Sequence, residues 1–128
     1  VWVLAWQSHA HDELMRALRP GRFEYELESV FRHSCMLQGC KEMVCETEHL
    51  PHPPVGLLVP MVVYGCVPPY TGDLPIVGSG ENAAVLHYTA NRRKVQDGDL
   101  LLVDAGAERC MYAADITSEY GCYSIVPT

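Results

Sequence analysis

Residues 100–120 read LLLVDAGAERCMYAADITSEY. Leu100–Asp104 is an almost wholly apolar run of strand length, and Arg109–Ile116 is rich in strand-compatible residues. Ala105-Gly106-Ala107-Glu108 between them reads as the turn of an antiparallel hairpin. Each arm carries one aspartate, Asp104 and Asp115. Side chains alternate faces along a strand, so suitable offsets across the turn bring both carboxylates to one face. Two adjacent carboxylates with no Arg or Lys beside them repel, which raises the pKa of one or calls for a divalent cation between them. Oxygen donors of this kind suit Mn²⁺, Mg²⁺ or Zn²⁺. The plainer reading leaves one Asp capping the turn and the other exposed, since two aspartates at this spacing are not a specific pattern.

The rest of the composition narrows the function classes. At 128 residues, 48% hydrophobic and 20% charged, the chain has the make-up of one globular domain. A formal charge of −7 argues against a nucleic-acid binder, and no RNA- or DNA-binding motif is present. No run is long and apolar enough to span a bilayer; the most lipid-like piece, Val55–Val63, is short and broken by Pro60. The first residues show neither an initial Met nor a leader pattern, which reads as an excised or incomplete chain. Without a secretory signal, the six cysteines (Cys35, Cys40, Cys45, Cys66, Cys110 and Cys122) read as reduced thiols. Cys35 is expected on a buried helix face and Cys110 within a strand. The expected compartment is the cytoplasm, with a mitochondrion or other organelle as alternatives.

Upstream, the spacing predicts a helix over Val1–Arg19, with Trp6, Ala10, Leu14, Ala17 and Leu18 inward and His11, Asp12, Glu13 and Arg16 on a polar side. Pro20-Gly21 ends it. A second helix is expected from Glu24 to Gln38, with Leu27, Val30, Phe31 and Cys35 inward and Gly39 as its C-cap. Val44–Pro75 holds seven of the nine prolines and no Lys or Arg, which predicts a long irregular loop. Beyond it, Pro75–Val77 reads as a short strand, Gly78–Asn82 as a turn and Ala83–Tyr88 as a strand carrying His87 near its end. Asn91-Arg92-Arg93 and Asp97-Gly98 read as turns. Two helices followed by short sequential strands predict an α+β fold, with the helices on one face of a mostly antiparallel sheet.

Several words of this sequence together resemble a known family. GSGEN at Gly78–Asn82, VLHY at Val85–Tyr88, DGD at Asp97–Asp99, VDAG at Val103–Gly106 and ADIT at Ala114–Thr117 are similar to the pita-bread metallopeptidases. Their order and context resemble the proline-specific branch, aminopeptidase P and prolidase. RPGRFEYELES at Arg19–Ser29 adds to the resemblance, which covers about residues 10–43 and 75–119. It implies the creatinase/aminopeptidase-like fold, a curved and mostly antiparallel sheet with helices, here incomplete. It also implies Asp104 and Asp115 as ligands of two divalent ions, Mn²⁺ first, with Zn²⁺ or Co²⁺ as alternatives. Asp115 would bridge the ions, Thr117 would lie behind the ligands, and His87 would stand beside the substrate. The implied reaction is hydrolysis of the Xaa-Pro bond, the substrate being a peptide with proline at its second position. No nucleic acid or membrane is implied as a partner, and homo-oligomerisation of the full-length protein stays open.

The departures from the family are equally specific. Its metal site takes a further His and two Glu after the aspartates, and His9, His11, His33, His49 and His52 all precede the strands. The expectation is that the 128-residue chain, as the first part of the catalytic domain, is inactive alone. The Pro-rich stretch at about 44–74 reads as an insertion, and Gly121–Thr128 does not continue the family pattern. Two other classes compete. One is a non-catalytic pita-bread binding module. The other is a small zinc module using Cys40, Cys45, His49 and His52, whose spacing is too short to enclose a finger helix. Methionine aminopeptidase is the alternative enzyme, sharing the paired aspartates but fitting the LHY and GSGEN context less well.

Overall fold

The computed structural model describes residues 2–44 and 75–124. Two helices, α1 (Trp2–Ala17) and α2 (Glu24–Leu37), pack against one face of a four-stranded sheet. Its strands are β1 (Glu42–Val44), β2 (Ile76–Ser79), β3 (Leu100–Arg109) and β4 (Tyr112–Gly121). All three pairings are antiparallel, as the sequence predicts. β3 is the centre. Its whole length pairs with β4, while its other edge is shared by β1 near Gly106–Glu108 and β2 near Leu101–Asp104. Nearly all of the expected insertion at 44–74 lies outside the described residues, as does the end of the chain past 124.

The helices begin and end where the sequence places them, within two residues. Gly39 (φ +82°) takes the left-handed conformation directly after the C-cap of α2, and Gly21 (φ +93°) takes it in the turn between the helices, where its N–H donates to the Val95 carbonyl. The Phe23 N–H donates to Glu26 Oε2 at 2.7 Å, which satisfies one of the free donors at the start of α2. The core joins Leu14 of α1, Leu18 just past its end, Leu27, Phe31 and Cys35 of α2, and Val77, Leu101, Val103, Ala105 and Ala107 of the sheet. Along β3 these buried positions alternate with half-buried Leu102 and Asp104, the period-two signature of a strand with one face inward. Arg109 closes the layer from the far end. Its guanidinium lies 4.2 Å from the centre of the Trp6 ring and donates to the Gln38 carbonyl at 2.9 Å.

Four local expectations are corrected. The hairpin does not turn at Ala105–Glu108; β3 runs on to Arg109 and the chain reverses at Cys110-Met111. Both turn residues have positive φ, +54° and +67°, as a two-residue hairpin loop requires, although neither is the Asn or Gly that normally announces one. Cys110 is therefore an exposed turn residue rather than part of a strand. Ala83–Tyr88 is not a strand either. The chain forms a 3₁₀ turn over Gly80–Ala84, and His87 follows in the left-handed region at φ +53°. Finally, His11 is not on a polar side of α1. Together with Gln7 it lines the buried stripe, one and two turns ahead of Leu14 and Leu18.

Candidate metal centre

The register of the hairpin decides where the two aspartates stand. Asp104 pairs with Thr117 and Gly106 pairs with Asp115. Residues directly opposite share a face, and so do residues two apart along a strand. Asp104, Asp115 and Thr117 therefore all project from the face of the sheet opposite Val103 and Ala105, away from the helices. Asp104 is half-buried and Asp115 exposed. The Thr117 hydroxyl donates to Asp104 Oδ1 at 2.7 Å.

Gly106 makes the close approach of the strands possible. A Cβ there would fall 2.1 Å from the Ala114 carbonyl oxygen and 3.0 Å from Asp115 Cα. The residue that reads as a turn glycine is thus a strand glycine, required because the neighbouring backbone occupies the space of a side chain. On the helical side of the same place, Gln7 Nε2 donates to the carbonyls of Ala107 at 2.7 Å and Ala114 at 2.6 Å. Those two residues face each other across the hairpin. Gln7 Oε1 is buried with no hydrogen-bond partner among the described residues.

His11 supports the strand from below Asp104. Its Nε2 is 3.3 Å from the Ala105 carbonyl, its Nδ1 3.1 Å from the Tyr120 hydroxyl, and its ring meets Phe31 edge-on at 5.1 Å. Burial pushes its pKa below the ordinary histidine value; the Ala105 carbonyl and the charges of Asp104 and Asp12 oppose that shift without cancelling it. The neutral ring then donates from Nε2 to Ala105 and accepts at Nδ1 from Tyr120. A depression of about 290 Å³ lies beside His11, lined by Ser8, Met15, Ile116 and Tyr120. It is on the helical side of β4, so it is not part of the aspartate face.

His87 stands apart from the hairpin, exposed on the connection that follows the 3₁₀ turn. The next residue is anchored: the Tyr88 hydroxyl donates to Glu24 Oε2 at 2.8 Å and accepts from Asn82 Nδ2 at 2.9 Å. Glu24, which reads in the sequence only as one of the acids crowding the first turn of α2, is fully buried. Burial pushes its carboxyl up, but hydrogen bonds from Ser79, Tyr88 and Arg93 together hold it below the usual carboxylate range. Arg93 in turn pairs with Asp99 and donates to the Ser79 hydroxyl at 2.9 Å, tying the DGD turn to the GSG loop. The Arg93 guanidinium holds the Asp99 carboxyl below its ordinary value.

Paired carboxylates on one face fit a hard divalent ion in donor type, and fill only part of its coordination shell. Among the described residues, no three His, Cys, Asp or Glu side chains converge on a common point. Of the alternative zinc ligands, Cys40 is buried, with its thiol pushed up chiefly by that burial. Cys45, His49 and His52 lie outside the described residues.

Comparison with known proteins bears on the same fold and face. Residues 4–124 match the profile of metallopeptidase family M24. The chain belongs to that family. It is 37% identical over 111 residues to the Xaa-Pro aminopeptidase of Escherichia coli, covering 87% of this chain and 19% of that protein. It is 38% identical over 117 residues to the human Xaa-Pro dipeptidase, covering 88% of this chain and 18% of that one. A solved variant of Escherichia coli aminopeptidase P superposes with a TM-score of 0.71 at 31% identity, over 94% of this chain and 21% of the other. Pseudomonas aeruginosa aminopeptidase PepP gives 0.71 at 30% identity, over 95% and 21%. The M24 chain described here thus carries the pita-bread fold in part and spans about a fifth of the length of the curated relatives it matches. Among the described residues, no helix is long and apolar enough to cross a membrane.

Proposed function

We propose that this chain supplies the paired-aspartate part of an Xaa-Pro metallopeptidase. The observation that carries the reading is the hairpin register, which sets Asp104 and Asp115 two positions apart on one face, with Thr117 hydrogen-bonded to Asp104. The names of the M24 relatives, aminopeptidase and dipeptidase for Xaa-Pro bonds, supply the substrate class: a peptide with proline at its second position. Asp104 and Asp115 would be the residues of this chain that hold divalent ions, Mn²⁺ by preference. When bound, such ions supply Lewis acidity toward the scissile carbonyl and toward water. The Thr117 hydroxyl holds Asp104 Oδ1 and would steady that carboxylate for an ion bound there. His87, exposed and next in the chain to the anchored Tyr88, donates to the substrate as charge develops on the carbonyl oxygen. The free thiols Cys35, Cys40, Cys110 and Cys122 fit a reducing, cytoplasmic setting.

Among the described residues no third His, Cys, Asp or Glu joins the two carboxylates, so the reading predicts that the 128-residue chain turns over no substrate by itself. The test is incubation of the purified chain with Mn²⁺ and an Xaa-Pro peptide. No release of the first residue is expected, whereas the peptide should shift the His87 ring resonances more than a matched peptide lacking proline. Release that disappears in Asp115→Ala would overturn the inactivity, and equal shifts from both peptides would overturn the proline reading.

A further inference from the structure

We propose that Glu24 is a positioning residue for His87: its buried carboxylate grips the chain on both sides of the exposed 85–87 segment and so sets where the imidazole is presented. The inference rests on the reading of His87 as a substrate-side group. Glu24 sits at the first turn of α2, far in sequence from everything it binds. Its Oε1 accepts from the Ser79 N–H at 2.7 Å, the Ser79 hydroxyl at 2.7 Å and Asn82 Nδ2 at 3.2 Å. Its Oε2 accepts from the Tyr88 hydroxyl and the Arg93 N–H, both at 2.8 Å. Ser79 and Asn82 precede His87; Tyr88 and Arg93 follow it. One side chain therefore closes the loop.

Three physical points give this arrangement a direction. A buried carboxylate is costly unless every lone pair is used, and here five donors use them. The N-terminus of α2 adds a favourable dipole for the negative charge. His87 itself has a left-handed backbone (φ +53°), which a non-glycine residue does not choose unaided, so its neighbours must hold it there. Tyr88 is the neighbour that does so, since its hydroxyl is bonded to Glu24 and to Asn82. A carboxamide of the same shape cannot replace the carboxylate. One oxygen becomes an NH₂ group, which then meets either the Ser79 N–H or the Arg93 N–H donor to donor.

The experiment uses the 128-residue chain, with nuclear magnetic resonance as the readout. In Glu24→Gln, the intraresidue HN–Hα contact that marks left-handed His87 should weaken. Amide exchange at Ser79 or Arg93 should rise by about tenfold or more, the equivalent of one buried N–H left unpaired. Amides of β3 and β4 should exchange as before, which separates positioning from general loosening. Tyr88→Phe keeps the charge and the other donors and should weaken the His87 signature without altering Ser79 or Arg93. An unchanged His87 signature in a folded Glu24→Gln overturns the proposal. So does an unchanged signature in Tyr88→Phe when Glu24→Gln fails to fold; a weakened one there supports it. Absence of any peptide-induced shift at His87 in the unsubstituted chain would instead remove the substrate-side role and leave the backbone result standing.

Discussion

Thr117 faces Asp104 directly across the central hairpin and donates its hydroxyl proton to Oδ1 at 2.7 Å. One carboxylate oxygen is thereby occupied and the other left to a ligand. Thr117→Val removes the donor at nearly constant volume. The expected outcome is a loss of roughly tenfold or more in divalent-ion affinity, in line with the usual effect of losing a group that orients a ligand. A Mn²⁺ titration followed by electron paramagnetic resonance checks it, with unchanged circular dichroism as the control.

Gly106→Ala tests the close approach of the strands. The added Cβ would meet the Ala114 carbonyl at 2.1 Å, and backbone rather than a flexible side chain must yield. Destabilisation of about 1–3 kcal/mol is expected from the overpacking. Urea unfolding measures it.

The tight turn makes the opposite prediction. Cys110 and Met111 both hold positive φ, a conformation costing an ordinary residue roughly 1–2 kcal/mol. Replacing the pair by Cys110→Asn with Met111→Gly supplies the residues such a turn prefers. Stability should rise by about 1 kcal/mol or more, read as a higher urea midpoint at constant slope.

His11 gives a pH dependence with a definite sign. Its folded pKa lies below the ordinary 6.5, mainly through burial, so the unfolded chain binds more protons in between. Stability is fully present above pH 6.5 and falls as the pH drops through the folded value. Glu24 and Asp99 are also held below their ordinary values of 4.5 and 3.8, so their contribution is lost only at lower pH. Urea midpoints between about pH 7.5 and pH 5.5 should fall for the unsubstituted chain and stay flat for His11→Gln.

Much of this was readable before any coordinates. The helices, the antiparallel sheet, the Pro20-Gly21 and Gly39 stops and the family words all follow from local chemistry that sequence displays. The misreadings share a cause. Gly106 looks like a turn residue, whereas the space it leaves is taken by a neighbouring strand that no local window contains. Cys110-Met111 looks like strand, because the geometry of the paired arms forces positive φ on residues that do not advertise it. The VLHY word looks like a strand by β-propensity, yet among the described residues no strand pairs with 85–88, and the segment is fixed through Tyr88. Gln7, His11 and Glu24 escape notice for a related reason. Polar residues at helical spacing look solvated until a carbonyl of Ala105, Ala107 or Ala114, or the donors around Ser79, are seen to meet them. The paired aspartates were legible as types, but their shared face depends on a register that the misplaced turn alone could not give.

The proposed metal centre requires that Asp104 and Asp115 grip divalent cations together. Trace Mn²⁺ added to the ¹⁵N-labelled chain measures this most directly, because paramagnetic broadening marks the ion's position even when binding is weak. Broadening should centre on residues 104, 106, 115 and 117 and be abolished by Asp104→Asn with Asp115→Asn. Broadening centred elsewhere, or unaffected by the double substitution, would contradict it.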